Sequence, residues 1–283
     1  MLTATDIRHQ LDAAGRAPQR SRGQNFLVDG NLALSLVRFA EIRPDDTVLE
    51  IGPGLGSLTL PLAAVAQRVI AVEIDEHLVP LLTANLEVAG CDNVAVIVRD
   101  ARAVDYSALT PPPTVVVGNL PYNIGTQLTL ELLDRVPSAD RFIVTVQHEV
   151  AERFTAVPRT KAYGAVSVKI AAYGAASIVT TLPPTVFYPR PNVDSAAVRI
   201  TRNSATTPAE RAAIWPLIEA GFGHRRKTLR QSLASVLEDV QGQCKAAGID
   251  HGARAEELQL EHWLALSLTL PHRDEPSAEA AHG

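Results

Sequence analysis

Thr47-Val48-Leu49-Glu50-Ile51-Gly52-Pro53-Gly54-Leu55-Gly56 is the stretch that decides how this chain folds. Its apolar run, Val48–Ile51, reads as a buried parallel strand. The glycines that follow allow a tight turn and a close approach of backbone to a ligand. A helical pattern, Ser57–Ala66, comes next, so the unit is strand, glycine turn, helix. Further apolar runs at Val69–Val72, Val94–Val98, Thr114–Val117 and Phe142–Val146 alternate with helical patterns at Glu76–Ala89 and Thr126–Arg135. Val166–Tyr173 and Ala196–Ile200 read as late strands. This alternation predicts an α/β fold, a mainly parallel seven-stranded sheet with helices on both faces.

The flanks are different in character. Thr3 to Ala14 reads as a short amphipathic helix opened by a Thr3/Asp6 capping box. Arg16, Arg20 and Arg22 make the lead-in after it basic. Thr201 to Pro208 is a polar linker, and helical patterns follow at Ala209–Ala220, Lys227–Val236 and Leu258–Leu268. The expected division is therefore 1–22 as helix and lead-in, 23–203 as the α/β domain, 204–270 as a small all-helical domain, and 271–283 as a disordered tail.

With 283 residues, the chain can hold one large core and a small accessory unit. No apolar run approaches the roughly 20 residues that a membrane span requires. The N-terminus lacks the pattern of a secretory signal. Cys91 and Cys244 lie far apart and match no metal spacing. A cytoplasmic protein with no structural metal is expected. The net charge of −5 argues weakly against nucleic-acid binding, but local distribution matters more than the sum. His224-Arg225-Arg226-Lys227, with Arg230 nearby, contains no acid.

Three carboxylates mark the strand ends. Glu50 precedes the glycine turn, Glu73 closes the second apolar run, and Asp100 follows the third within Arg99-Asp100-Ala101. Glu73 is placed to accept from two ribose hydroxyls, and Asp100 from an adenine amino group. A dinucleotide would want G-x-G-x-x-G with its pyrophosphate on the helix N-terminus. Here the third glycine comes one residue early, Pro53 removes an amide donor, and the loop has no basic residue. Glu50 would repel phosphate. It suits the cationic sulfonium or amino group of S-adenosyl-L-methionine.

Past the strand Thr114–Val117 stands Gly118-Asn119-Leu120-Pro121-Tyr122-Asn123. Ligands bind beyond the carboxyl ends of strands in open α/β sheets. A nucleobase can stack on the tyrosine while the amide and nearby carbonyls accept hydrogen bonds from its exocyclic amine. These parts suit chemistry on an amino group of a base.

On these residues the chain resembles the ribosomal RNA adenine dimethyltransferase family, and most of all its bacterial small-subunit branch. The similarity runs from Gly23 to about Leu268. Gly23-Gln24-Asn25-Phe26-Leu27 resembles the family's N-terminal cofactor clamp, and Asn119-Leu120-Pro121-Tyr122 its catalytic motif. Val146–Arg153, Tyr163-Gly164, Phe187–Ser195 and Arg225–Arg230 follow in family order. The resemblance implies a Rossmann-like methyltransferase domain followed by a small helical one. It implies donor contacts from Asn25, Leu27, Glu50, Gly52, Gly54, Glu73, Asp100, Ala101 and Asn119. Asn119 and the Leu120 carbonyl would polarise the target amine, with Pro121 fixing chain direction and Tyr122 stacking on the flipped base. Phe187 would cover the base's other face, and Arg225, Arg226, Lys227 and Arg230 would contact RNA phosphates.

The implied activity is N6,N6-dimethylation of two adjacent adenosines in the 3′-terminal hairpin loop of small-subunit (16S) rRNA. The implied partner is the immature 30S subunit, met by a monomeric enzyme. Two rivals stay open: a large-subunit enzyme of the macrolide-resistance type, and an assembly factor acting mainly by binding. Alternatives also stay open for Asn25 as a turn residue, Phe187 as core, and Arg225–Lys227 as a solvated helix start. The chain departs from the family at His148 and Asn192, where lysine is usual, and at Gln231 in place of asparagine.

Overall fold

The structure is a computed structural model and describes residues 2–19, 23–203, 205–224 and 226–270. The expected tail 271–283, together with Arg20, Arg22 and Arg225, lies outside them. The strands are β1 (Phe26–Leu27), β2 (Thr47–Ile51), β3 (Arg68–Glu73), β4 (Val94–Val98), β5 (Val115–Asn119), β6 (Arg141–Gln147), β7 (Gly174–Leu182), β8 (Phe187–Tyr188) and β9 (Ser195–Arg202). The helices are α1 (Ala4–Ala13), α2 (Gly30–Phe39), α3 (Thr59–Ala63), α4 (Val79–Ala89), α5 (Gly125–Arg135), α6 (His148–Thr155), α7 (Ala165–Tyr173), α8 (Pro208–Gly223), α9 (Leu229–Ser232), α10 (Val240–Ala246) and α11 (Leu260–Ser267).

Seven strands form one mixed sheet in the order β4-β3-β2-β5-β6-β9-β7. The first five pair in parallel, and β9 runs antiparallel to both β6 and β7. The apolar runs of β2 and β5 are buried along their length because helices cover both faces. From β2 the chain builds outward through β3 to β4, then returns to lay β5 against the other side of β2. The crevice beyond the carboxyl ends of β2 and β5 is thus the switch point where such sheets bind ligands.

The chain divides into two compact units. Among the described residues, one comprises those within 2–155 and 173–205, the other those within 156–172 and 206–270. In the first, α1 carries the expected capping box, with Asp6 N donating to Thr3 Oγ1 and Thr3 N to Asp6 Oδ2. Its Ile7 and Leu11 are buried with Phe26, Leu55 and Leu78, so the N-terminal helix is part of this core. In the second, Trp263, Ile214, Leu217, Ile218 and Leu229 centre a separate helical core.

Two element assignments are corrected. Val166–Tyr173, expected as a strand, belongs to α7, and the strand follows it as β7. An apolar run of this length fits a buried helix as well as a strand; Val168 and Ala172, one turn apart, enter the helical core. The first residue of that strand must be glycine, because a Cβ at Gly174 would stand 2.1 Å from the Thr201 carbonyl oxygen. Lys227–Val236, expected as one helix, is helical only over α9. Leu229, Leu233 and Leu237 keep the four-residue spacing through turns, and their burial produces the apolar period. No helix among the described residues is long and apolar enough to cross a membrane.

Candidate active site

The glycine turn after β2 adopts left-handed backbone at Gly52 (φ +72°) and Gly54 (φ +56°). At Gly54 a Cβ would also lie 2.9 Å from the Phe26 ring, so glycine is required twice over. Glu73, at the end of β3, pins this turn: its Oε2 accepts from Gly54 N at 3.1 Å and its Oε1 from Asp75 N at 2.9 Å. Burial pushes the Glu73 carboxyl upward against those amides. A carboxylate offers about four acceptor sites, so the Glu73 carboxyl keeps capacity to accept from a ribose hydroxyl.

Glu50, on β2, is buried at 1% exposure, and its Oε2 has no hydrogen-bond partner. Burial pushes its carboxyl up to about 8, eased by the Thr59 hydroxyl and reinforced by the Glu73 charge. A buried acceptor without a donor is costly unless a ligand completes it. Glu50 also lines the cleft at the switch point. A cationic group from a bound molecule fits there, and a phosphate does not.

Asp100 caps the short 3-10 turn 101–103 and pairs with Arg102 at 2.7 Å. The Arg102 guanidinium holds its carboxyl below the usual carboxylate range. Oδ1 takes two hydrogen bonds from Arg102 and Oδ2 one, leaving Oδ2 able to accept an amine.

Asn119 ends β5. Its Nδ2 donates to the Asn25 carbonyl oxygen at 2.7 Å, so its Oδ1 is the end left without a partner among the described residues. Asn25 in turn donates through Nδ2 to the Gly23 carbonyl at 3.2 Å, and Gln24 Nε2 donates to Asp75 Oδ2 at 3.0 Å. The short pairing of β1 with β8 anchors this segment. Asn25, Leu27, Glu50, Gly52, Gly54, Glu73, Asp100, Ala101 and Asn119 thereby line a single cleft, with Pro121 beside them.

Leu120 and Tyr122 do not line it. The Leu120 side chain is buried, and its carbonyl accepts no hydrogen bond among the described residues. Tyr122 is half-buried, and its hydroxyl meets Ser195 Oγ, on β9, at 2.5 Å. Burial pushes that phenol upward, so it stays protonated. The motif thus straddles two surroundings, with Asn119 and Pro121 on the cleft and Tyr122 tied to β9. Ser195 closes the Phe187–Ser195 stretch, and nothing in the sequence pairs it with Tyr122.

Phe187 is corrected. Pairing of Leu27 with Phe187 sends both side chains into the main core, and Phe187 is 2% exposed. Its ring has no free face for a base. Arg226, Lys227 and Arg230 are exposed and form no ion pair among the described residues. His148 and Asn192 line one surface depression with Glu149 and Asp194.

With this geometry in hand, comparison with known proteins is specific. The family model described as ribosomal RNA adenine dimethylase matches residues 16–271. Ribosomal RNA small subunit methyltransferase A of Streptomyces griseus is 41% identical, over 98% of this chain and 97% of that relative. Its namesake in Kineococcus radiotolerans is 40% identical, over 99% and 95%. A crystal structure of a dimethyladenosine transferase from Plasmodium falciparum shares the fold, with a TM-score of 0.73 at 22% identity, covering 85% of this chain and 95% of that one. The 23S rRNA methyltransferase ErmE gives a TM-score of 0.67 at 29% identity, covering 86% and 98%.

Proposed function

The chain belongs to the ribosomal RNA adenine dimethylase family, and we propose that it dimethylates N6 of two adjacent adenosines in the 3′-terminal hairpin loop of small-subunit rRNA. It is a methyltransferase that uses S-adenosyl-L-methionine. Its working partner is the immature 30S subunit, which it meets as a monomer. Residues 23–203 carry the chemistry and 204–270 dock on rRNA.

The observation that carries this reading is the locked amide of Asn119, which lines the same cleft as Glu50, a buried carboxylate whose Oε2 has no hydrogen-bond partner among the described residues. When bound, S-adenosyl-L-methionine supplies an electrophilic methyl group on a sulfonium. Glu50 holds the donor's cationic part, Glu73 its ribose hydroxyls, and Asp100 its adenine amine. The target nitrogen is a poor nucleophile because its lone pair is delocalised into the ring. Asn119 Oδ1 and the Leu120 carbonyl accept its two N–H bonds and localise that pair. Tyr122 stacks on the flipped base, worth roughly 1–3 kcal/mol, comparable with the few kcal/mol that unstacking costs. Alignment and desolvation supply most of the acceleration. In the second unit Arg226, Lys227 and Arg230 hold phosphates by sequence-independent contact.

The likeness to ErmE favours a second reading, a large-subunit substrate with the same chemistry. Incubation with labelled donor and under-methylated small subunits or naked rRNA, mapped by primer extension, separates the two. Stops at two neighbouring adenines of small-subunit RNA are expected. Label in large-subunit RNA alone would overturn the assignment.

A further inference from the structure

The adenine end of the cleft is built on the single 3-10 turn 101–103, which follows Asp100. One isolated turn has little stability of its own. Its outward carbonyls are met by two side chains that do not line the cleft. Tyr106 Oη donates to the Ala101 carbonyl at 2.7 Å. Arg135 Nη1 donates to the Arg102 carbonyl at 2.8 Å, and its Nη2 donates to the Val104 carbonyl. The Arg135 guanidinium also lies 5.0 Å from the centre of the Tyr106 ring, within cation–π range. Burial pushes the Tyr106 hydroxyl up to about 12, so it remains a donor throughout the working range.

Arg135 is the last residue of α5, and Ile124 and Leu128 at the start of that helix line the cleft just after Pro121. A basic residue in a final helical turn ordinarily serves the helix's own carbonyls and dipole. Arg135 instead spends both terminal nitrogens on a segment about thirty residues earlier. The planar fork of arginine suits two carbonyls at once, and a lysine would reach one.

We propose that Arg135, seconded by Tyr106, is a positioning residue for the donor's adenine subsite: it holds the Asp100–Val104 turn in the shape that lets Asp100 read the adenine amine. This rests on the reading of Asp100 given above. The consequence is selective. Loss of Arg135 loosens recognition of the purine's amino group and leaves recognition of RNA alone.

The test compares binding of S-adenosylhomocysteine with that of S-inosylhomocysteine, whose purine carries a carbonyl in place of the amine. Wild-type protein is expected to prefer the adenosyl ligand. In Arg135→Ala the adenosyl ligand should weaken about tenfold, the scale of one charge-assisted hydrogen bond, and the preference should fall towards one. RNA affinity should stay within about twofold by the same scale. Arg135→Lys should recover part of the preference, and Tyr106→Phe should lose part, so the readout does not depend on one variant folding. Preference kept at the wild-type value in Arg135→Ala, with only a lower Tm, would overturn the proposal and leave Arg135 a scaffold residue. Absence of preference in wild-type protein would defeat the reading of Asp100 itself, and the proposal with it.

Discussion

Asn119 donates through Nδ2 to the main-chain carbonyl of Asn25 at 2.7 Å, and this bond ties the Asn119-Leu120-Pro121-Tyr122 motif to the N-terminal segment. It fixes which end of the amide can accept. In Asn119→Asp an oxygen would face the Asn25 carbonyl and the lock would be lost. Methylation is expected to fall by about 10²–10³, the scale seen when one preorganised polar partner is removed from a reacting centre. Single-turnover kinetics with saturating donor measure this; a rate within threefold of wild type would contradict it.

On the proposed reading, with Glu50 holding the donor's cationic part, donor binding is expected to be proton-linked. Its carboxyl is pushed to about 8 in the free protein, above the ordinary 4.5 of its unfolded state. Between those values the folded state binds the extra proton, so stability falls as pH rises through the interval. A cationic donor pulls Glu50 to its carboxylate and expels the proton. Donor affinity should therefore rise with pH from about 5 to about 8. Calorimetry in buffers of different ionisation enthalpy should show net proton release at pH 7, absent in Glu50→Gln. That variant should bind donor more weakly yet melt higher at pH 8.

Tyr122 and Ser195 should act as a unit. Tyr122→Phe and Ser195→Ala each free the ring from β9, and the double variant should be little worse than either alone, as expected for contacting residues. The effect belongs in KM for RNA and in kcat, not in donor affinity, because neither residue lines the donor cleft. Strictly additive losses would remove the anchoring argument.

His148 and Asn192 share a depression with Glu149 and Asp194, so two positions at which the family resemblance implies lysine are here poor in positive charge. RNA binding should depend less steeply on salt than in a lysine-bearing variant. His148→Lys with Asn192→Lys should steepen the slope of log K against log salt by about 1 per phosphate gained and tighten binding at low salt. An unchanged slope would show that this depression lies off the RNA.

Much of this was legible because strand ends announce themselves. The apolar runs alone put Glu50, Glu73, Asp100 and Asn119 near the carboxyl ends of strands, and all four line one cleft. Part of the rest depends on pairing partners. The inward turn of Phe187 follows from its register with Leu27, which no local pattern encodes. Helix α2 carries local signals, its Asp29 cap and the apolar stripe of Ala33, Leu36 and Val37, but it stands ahead of the strand–helix alternation that begins at β2. The valines of 166–173 admit helix and strand alike, and only burial of Val168 and Ala172 in a helical core separates them. The clasp of Arg135 on the Asp100 turn spans distant segments and has no sequence signature.

The most direct test of the central claim is nucleoside mass spectrometry of rRNA after incubation with methyl-labelled donor. Small-subunit RNA treated with wild-type protein should contain doubly labelled N6,N6-dimethyladenosine, at two residues per molecule. RNA treated with Asn119→Ala should contain none, while that protein still binds S-adenosylhomocysteine. Label confined to large-subunit RNA, or dimethyladenosine formed undiminished by Asn119→Ala, would contradict the account.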